Sequence, residues 1–315
     1  MSEIFTQVFI LGLLATAVRS AAPLILAALG ESFSQRAGVI NVGLGGYMLF
    51  GAFGGYLTSY YTASPWLAAV AGSLAGGALA LLAAFVMISR RADQIVTGLA
   101  VWILAVGTVG VVYRLVFRSS SGLEPERVSV DKFDAWSIPG LSNIPWAGEV
   151  LFSQVSLVYI ALLAVPLAWL LQRSRSGLKI RAVGEHPEAL ESAGGNVIRI
   201  RYLCVVGTGL LAGLGGVYLS IGQTDTFDEG LIGGRGFIAI GIAIVGRRNP
   251  FGVLFAAFLF AITDSLQLWL PTAGVDIPQQ LLAMLPYVVT IIALVGVLGR
   301  VRHPRAFLKP YVRQT

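Results

Sequence analysis

Few side chains in this sequence could be brought together to do covalent chemistry. The histidines are His186 and His303, and both lie in segments crowded with basic residues. The single cysteine, Cys204, sits within an apolar run, so no internal disulfide forms and no metal cluster is suggested. A membrane-embedded hydrolase places a nucleophile and its base within a span, and no such pairing is readable here. The phosphate-cradling pattern Gly-x-x-x-x-Gly-Lys followed by Ser or Thr is also absent. What remains are charges in costly places, at Arg19, Arg114 and Asp264, each inside an apolar run. A charge at membrane depth costs about 2.5–3.5 kcal/mol on the insertion scale, so such residues face a bundle interior or a cavity. Arg19 and Asp264 therefore either pair structurally or touch a passing solute. Arg114, near the end of its run, snorkels toward the interface. The expectation is a non-enzyme with no cofactor and no metal.

The elements that position these residues are apolar and long. Of 315 residues, 56% are hydrophobic and 12% charged, against about 25% charged in soluble domains. Neither Tyr202–Gly222 nor Leu151–Leu171 contains a charge. A helix rises about 1.5 Å per residue, so roughly 20 such residues cross a ~30 Å hydrocarbon core. The sequence thus predicts an all-α integral membrane protein, a polytopic bundle of about 8–10 transmembrane helices with a broken or re-entrant helix. It forms one domain over 1–315. Spans are expected near 4–29, 37–61, 66–88, 94–117, 151–172, 202–222, 250–271 and 281–299. The apolar piece 236–246 covers only about half of the hydrocarbon. It is either a re-entrant half-helix or a full span that recruits the residues around Leu231 to Gly234.

Loop charge sets the expected orientation. Arg90 and Arg91 form one basic loop, and Arg247 with Arg248 another. The stretch from Arg173 to Arg201 carries Arg175, Lys179, Arg181 and Arg199 as well. Arg300, Arg302, Arg305, Lys309 and Arg313 follow in the tail. The loop 118–150 holds Glu124, Glu126, Asp131, Asp134 and Glu149 with Trp136 and Trp146, and 223–235 holds Asp225, Asp228 and Glu229. Residues 118–150 are therefore expected outside, with 172–201 and the C-terminus cytoplasmic. Arg36 argues that Met1 is outside. The net charge of +6 is read as this inside bias rather than as a nucleic-acid surface.

Glycine numbers 38 and clusters within apolar runs. Gly51 with Gly55, Gly72 with Gly76, and Gly209 with Gly213 form GxxxG pairs that let helix backbones approach in lipid. The group Gly38, Gly43, Gly45, Gly46, Gly51, Gly54 and Gly55 is dense enough to weaken a helix. A break at membrane depth is tolerated only where it is buried or lines a cavity, so this segment is either packed or borders a path through the membrane.

The most informative polar stretch is Gly184-Glu185-His186-Pro187 through Gly194. Pro187 suits a first helical turn, and Glu185, Glu188 and Glu191 bring negative charge to the positive end of the helix dipole. Gly194 can close the far end in a left-handed conformation. The helix spans about two turns, too few to persist alone in water. It is an ordinary capped loop helix or a docking element, with Ala189, Leu190 and Ala193 as its small apolar face.

These residues resemble the cytoplasmic coupling loop of bacterial ABC importer permeases of the branched-chain amino acid, simple sugar and nucleoside type. Two further stretches are similar to the nucleoside and simple-sugar branch: Glu31, Arg36, Gly38, Asn41 and Gly43 after the first span, and Gly234, Gly236, Ala239, Ala243, Gly246, Asn249 and Pro250 near 236–246. The resemblance runs in order over roughly residues 10–300. It implies a permease subunit in the bacterial inner membrane, moving nucleosides or simple sugars inward. It implies as partners two ABC ATPase subunits, a second permease copy or paralogue, and an extracytoplasmic substrate-binding protein. Gly184, Glu185, Pro187, Glu188, Ala189, Leu190, Ala193 and Gly194 would couple to the ATPase. Arg19, Asn41, Gly43, Gly45, Phe237 and Asp264 are candidates for the translocation path. The chain departs from the branch at Gly45, where an acid is usual; that acid serves either the solute or the structure. The rival reading, a stand-alone secondary transporter or facilitator, expects titratable residues deep in several spans, and Asp264 alone qualifies.

Overall fold

A computed structural model describes residues 7–118, 125, 127–142, 144–273, 278–298 and 302–312. Glu124, Glu126, Arg300 and Arg313, the side chain of Glu149, and the outer residues of the first and last expected spans lie outside the described residues. Helix α1 (Gln7–Arg36) carries Pro23 within it, and the chain then leaves helical conformation until α2 (Leu44–Thr62). α3 (Pro65–Ala84) starts on a proline at its first turn and runs into a π-helical turn at Phe85–Ser89. α4 (Gln94–Val116) is capped by Asp93, whose carboxylate accepts the N–H groups of Ile95 and Val96 at 2.9 Å.

A two-stranded antiparallel hairpin follows, β1 (Ala135–Ser137) against β2 (Ser153–Val155), with α5 (Ala147–Leu151) between them. α6 (Ser156–Arg173), α7 (Arg175–Glu185) and α8 (Pro187–Ser192) lead to α9 (Val197–Val217), which ends in a second π-helical turn at Tyr218–Gln223. α10 (Arg235–Val245), α11 (Pro250–Trp269) and α12 (Gln279–Leu298) complete the bundle. Among the described residues, α1, α3, α4, α6, α9 and α11 are long and apolar enough to cross a bilayer. α2 is 19 residues long and rich in glycine and tyrosine, and α12 is 20.

Two expected spans need correction at their starts. The span placed at 37–61 begins only at Leu44, because Gly38 turns the chain back at φ +86°. Residues 37–43 are almost wholly buried against α1 rather than helical. The span placed at 151–172 begins at Ser156, since Ser153–Val155 pairs as a strand. The short piece is a half-length helix: α10 has 11 residues, and Leu231–Gly234 form turns. It is preceded by an irregular stretch whose Phe227 and Ile232 are buried in the core.

The core is a glycine seam. α2, α3 and α9 pack against one another, with α1 against α9, and the three GxxxG pairs interlock. A Cβ on Gly51 would lie 2.2 Å from the carbonyl oxygen of Gly213, one on Gly72 2.4 Å from that of Gly51, and one on Gly76 2.5 Å from that of Gly209. Backbone touches backbone, which is how helices gain dispersion contacts where lipid removes the hydrophobic drive. Gly213→Leu should therefore prevent accumulation of monodisperse protein, since overpacking even a deformable core costs about 1–3 kcal/mol. Gly107→Leu is the control, because a Cβ there meets nothing within 4 Å. Size-exclusion profiles of the two variants in detergent check this.

Candidate functional site

The broken segment brings polar groups into the bundle. Irregular backbone lacks helical partners for its N–H groups, which must be satisfied inside the protein. Glu31 on α1 supplies them: fully buried, its carboxylate accepts from the Asn41 N–H at 3.2 Å, Asn41 Nδ2 at 2.8 Å and Gln35 Nε2 at 3.0 Å. Gln94 Oε1 accepts the Ile40 N–H at 3.0 Å. The network continues outward, because Gln35 Oε1 accepts from Arg248 Nε at 3.1 Å. Arg248 in turn donates to the Arg302 carbonyl at 3.0 Å and contacts His303 Nδ1 at 2.8 Å. A hydrogen-bonded line thus runs from Asn41 inside the bundle to the C-terminal tail. Neither Glu31 nor Arg248 stood out as a site residue in the sequence; the cue was an acid ten positions before Asn41.

The start of α2 is clamped on both sides. A Cβ at Gly43 would lie 2.8 Å from the Gly98 carbonyl on α4, and one at Gly236 on α10 would lie 2.3 Å from the Gly45 nitrogen. The indole of Trp102 stands 3.4 Å from a Cβ built on Gly45. Phe237, 49% exposed, meets that indole edge-on at 6.2 Å. Asn41, Gly43, Gly45 and Phe237 therefore form one continuous region where α2, α4 and α10 meet.

Asp264 and Arg19 do not belong to one pair. Asp264 lies 4.0 Å from Arg235 at the start of α10, and Arg235 also donates to the Leu231 carbonyl at 3.0 Å. With Gln267 and Tyr287 they line a cavity of about 240 Å³. Arg19 Nε instead donates to Gln154 Oε1 on β2 at 2.8 Å. Arg114 pairs with Glu229 at 3.2 Å at the exposed end of α4. Arg235 and Arg19 thus each meet a partner on another element, 29 and 135 positions away in sequence.

At the basic end, α7 and α8 carry the motif. Gly184 is buried; a Cβ there would lie 2.0 Å from the Arg36 carbonyl, so α7 abuts the end of α1. The Gly184 carbonyl accepts the Ala306 N–H at 2.8 Å, and Glu185 Oε2 accepts the Arg305 N–H at 3.4 Å. Pro187 opens α8 and Gly194 ends the segment at φ +80°, the expected left-handed closure. Glu188, Ala189 and Ala193 are exposed, but Leu190 is half-buried against Val183, Val197 and Tyr311, and Glu191 bonds the Tyr311 hydroxyl. The expected apolar face is thus corrected. Ala189 and Ala193 are four apart and share a face, whereas Leu190 is rotated about 100° away. Burial lowers the Arg248 pKa, an effect countered by Glu31 and Glu185.

The tail packs across this end, with Arg201 Nη1 donating to the Lys309 carbonyl at 2.9 Å and the Leu308 N–H to the Gly38 carbonyl at 3.1 Å. Burial, and then the neighbouring Arg248, hold His303 below its ordinary value, so its neutral imidazole accepts from Arg248. Docking of the tail is then complete above about 6.5 and weakens as pH falls through the range below, because protonation puts two cations together. A spin label at Val312→Cys on a Cys204→Ser background should grow more mobile on acidification, and His303→Gln should flatten that response.

The chain is 41% identical to the guanosine ABC transporter permease protein NupQ of Bacillus subtilis, over 93% of this chain and 94% of that one. It is 35% identical to the nucleoside ABC transporter permease protein NupC of Lactococcus lactis, over 92% and 93%. A solved structure described as a metal-chelate type ABC transporter in an inward-facing conformation shares the fold at a TM-score of 0.52 and 15% identity, covering 94% of this chain and 88% of that one. The family model for the permease component of branched-chain amino acid transport systems matches residues 13–294. With a bundle of apolar helices, an irregular segment before its second helix and a short proline-initiated helix at its basic end, the chain belongs to the ABC transporter permease family of the branched-chain amino acid transport type.

Proposed function

We propose that the chain is the membrane-spanning subunit of an ABC importer, carrying nucleosides or related simple sugars into the cell while a partner hydrolyses ATP. The observation that carries this reading is the continuous polar line from Asn41 through Glu31, Gln35 and Arg248 to the tail that braces α7 and α8. A push on α8 has a hydrogen-bonded route to the broken helix. Bistable elements joined in this way are how a local contact moves a distant one. Ala189 and Ala193 form the contact face for the ATPase, while Gly184, Glu185, Pro187, Glu188, Leu190 and Gly194 shape and hold it.

Asn41, Gly43, Gly45 and Phe237 border the solute route, with Asp264 and Arg235 beside it and Arg19 toward the end that carries the hairpin. Carboxylate, guanidinium, carboxamide and phenol groups around the 240 Å³ cavity suit an uncharged solute with both donors and acceptors. The family resemblance supports two ATPase subunits, a second permease copy or paralogue, and an extracytoplasmic binding protein as partners. The charge bias supports a cytoplasmic C-terminus. Affinity purification of the tagged chain from native membranes should bring down an ATPase and a second permease, and the ligand of the associated binding protein should be a nucleoside or simple sugar. Isolation of the chain with no ATPase under mild extraction would contradict the reading and favour a stand-alone transporter.

A further inference from the structure

A second cavity lies apart from the route above. It encloses about 770 Å³ between the basic ends of α1, α6 and α9 and the flank of α7, within the ~300–1,000 Å³ range of ligand pockets. Its walls are apolar, with Phe33, Leu171, Ile180 and Leu211 among them. Gly207 forms part of its floor, where a Cβ would meet nothing within 4 Å. At the mouth stand Lys179 and Arg199, both exposed, and neither in an ion pair among the described residues.

We propose that this cavity is a binding site for one anionic phospholipid, its headgroup on Lys179 and Arg199 and an acyl chain running inward along α9. The depth fits: from Arg199 to Gly207 is about 12 Å by helix rise, and the wall continues to Leu211. The surroundings fit as well. Leu178, Ile198 and Leu203 are 60%, 41% and 63% exposed beside the two cations, the mixture of apolar and basic groups found where a helix lies at a membrane surface. A lipid phosphate at the mouth would neutralise both cations. Basic pockets between transmembrane helices bind anionic headgroups on the side that the positive-inside bias assigns to the cytoplasm. The site is independent of the solute carried.

The test reconstitutes the transporter complex in phosphatidylcholine vesicles with added phosphatidylglycerol, re-extracts it in detergent, and measures retained lipid by mass spectrometry. Wild type should retain phosphatidylglycerol selectively. Lys179→Gln with Arg199→Gln should lower that selectivity by roughly tenfold or more, because each basic residue at an anionic surface contributes about a factor of five. Gly207→Leu should lower the total lipid retained. Wild-type selectivity in the double variant would overturn the proposal, and so would a Gly207→Leu variant that keeps its lipid but loses the second permease subunit. The double variant decides alone if Gly207→Leu does not fold.

Discussion

Ala189→Arg and Ala193→Glu should each leave the protein inserted and folded while reducing solute uptake more than tenfold. Both residues are exposed, Ala189 on α8 and Ala193 at its C-terminal cap, and share one face. Neither contributes to the internal packing of the chain, so neither substitution leaves a cavity or an overpacked site. In a docked complex, however, a charge at either position would be desolvated against the ATPase groove. An unpaired charge in an interface costs about 2–5 kcal/mol, and 1.4 kcal/mol is already tenfold in affinity. ATPase retention on purification should fall in parallel with uptake. Leu190→Ala separates coupling from folding, because Leu190 packs within its own chain beside Tyr311 and Val197. It should lower thermal stability by about 2–3 kcal/mol. Ser129→Glu, on the exposed loop at the opposite end, should change neither uptake nor ATPase retention. Wild-type uptake in both alanine variants would show that α8 is not the coupling element.

Glu31→Ala should be among the most destabilising single substitutions in the bundle. The carboxylate is fully buried and accepts three hydrogen bonds, two of them from Asn41. Its removal strands those donors away from water, at about 1–3 kcal/mol each before relaxation. It also frees the broken segment to leave its place between α4 and α10. A loss of about 3 kcal/mol or more and of most uptake is expected. Glu31→Gln should be milder, because the carboxamide keeps one acceptor, though its amino group then faces a donor. Asn41→Ala should fall between them. Thermal unfolding in detergent, read beside uptake in membranes, checks the order. Wild-type stability in Glu31→Ala would mean that the break is held by its packing alone.

The long spans were legible because hydrocarbon thickness imposes runs of uninterrupted apolar residues, and those runs end at Arg90, Arg173, Arg247 and similar punctuation. α4 and α11 fall within a few residues of expectation. The break at 37–43 was less legible. Val39, Ile40 and Val42 are as apolar as any span, so hydropathy extends the helix through them. The turn at Gly38 and the capture of Asn41 by Glu31 are tertiary events. α7 was hidden because Arg175–Glu185 is polar and reads as loop; its buried face is little more than Gly177, Val183 and Gly184. Among the candidate path residues, those set by local motif, from Asn41 to Gly45 and Phe237, do meet in space. Asp264 and Arg19 were identified singly from the cost of burying charge, but their partners Arg235 and Gln154 lie on other elements. On α8, strict helical geometry would have separated Leu190 from the two alanines without a structure.

This chain is expected to form a path but not to drive transport through it. Uptake of radiolabelled nucleoside into liposomes tests it most directly, comparing the chain alone with the chain reconstituted beside its ATPase, second permease and binding protein. Accumulation should require the complete assembly with ATP on the ATPase side, and the chain alone should accumulate nothing under a proton or sodium gradient. Robust gradient-driven accumulation by the chain alone would contradict the account.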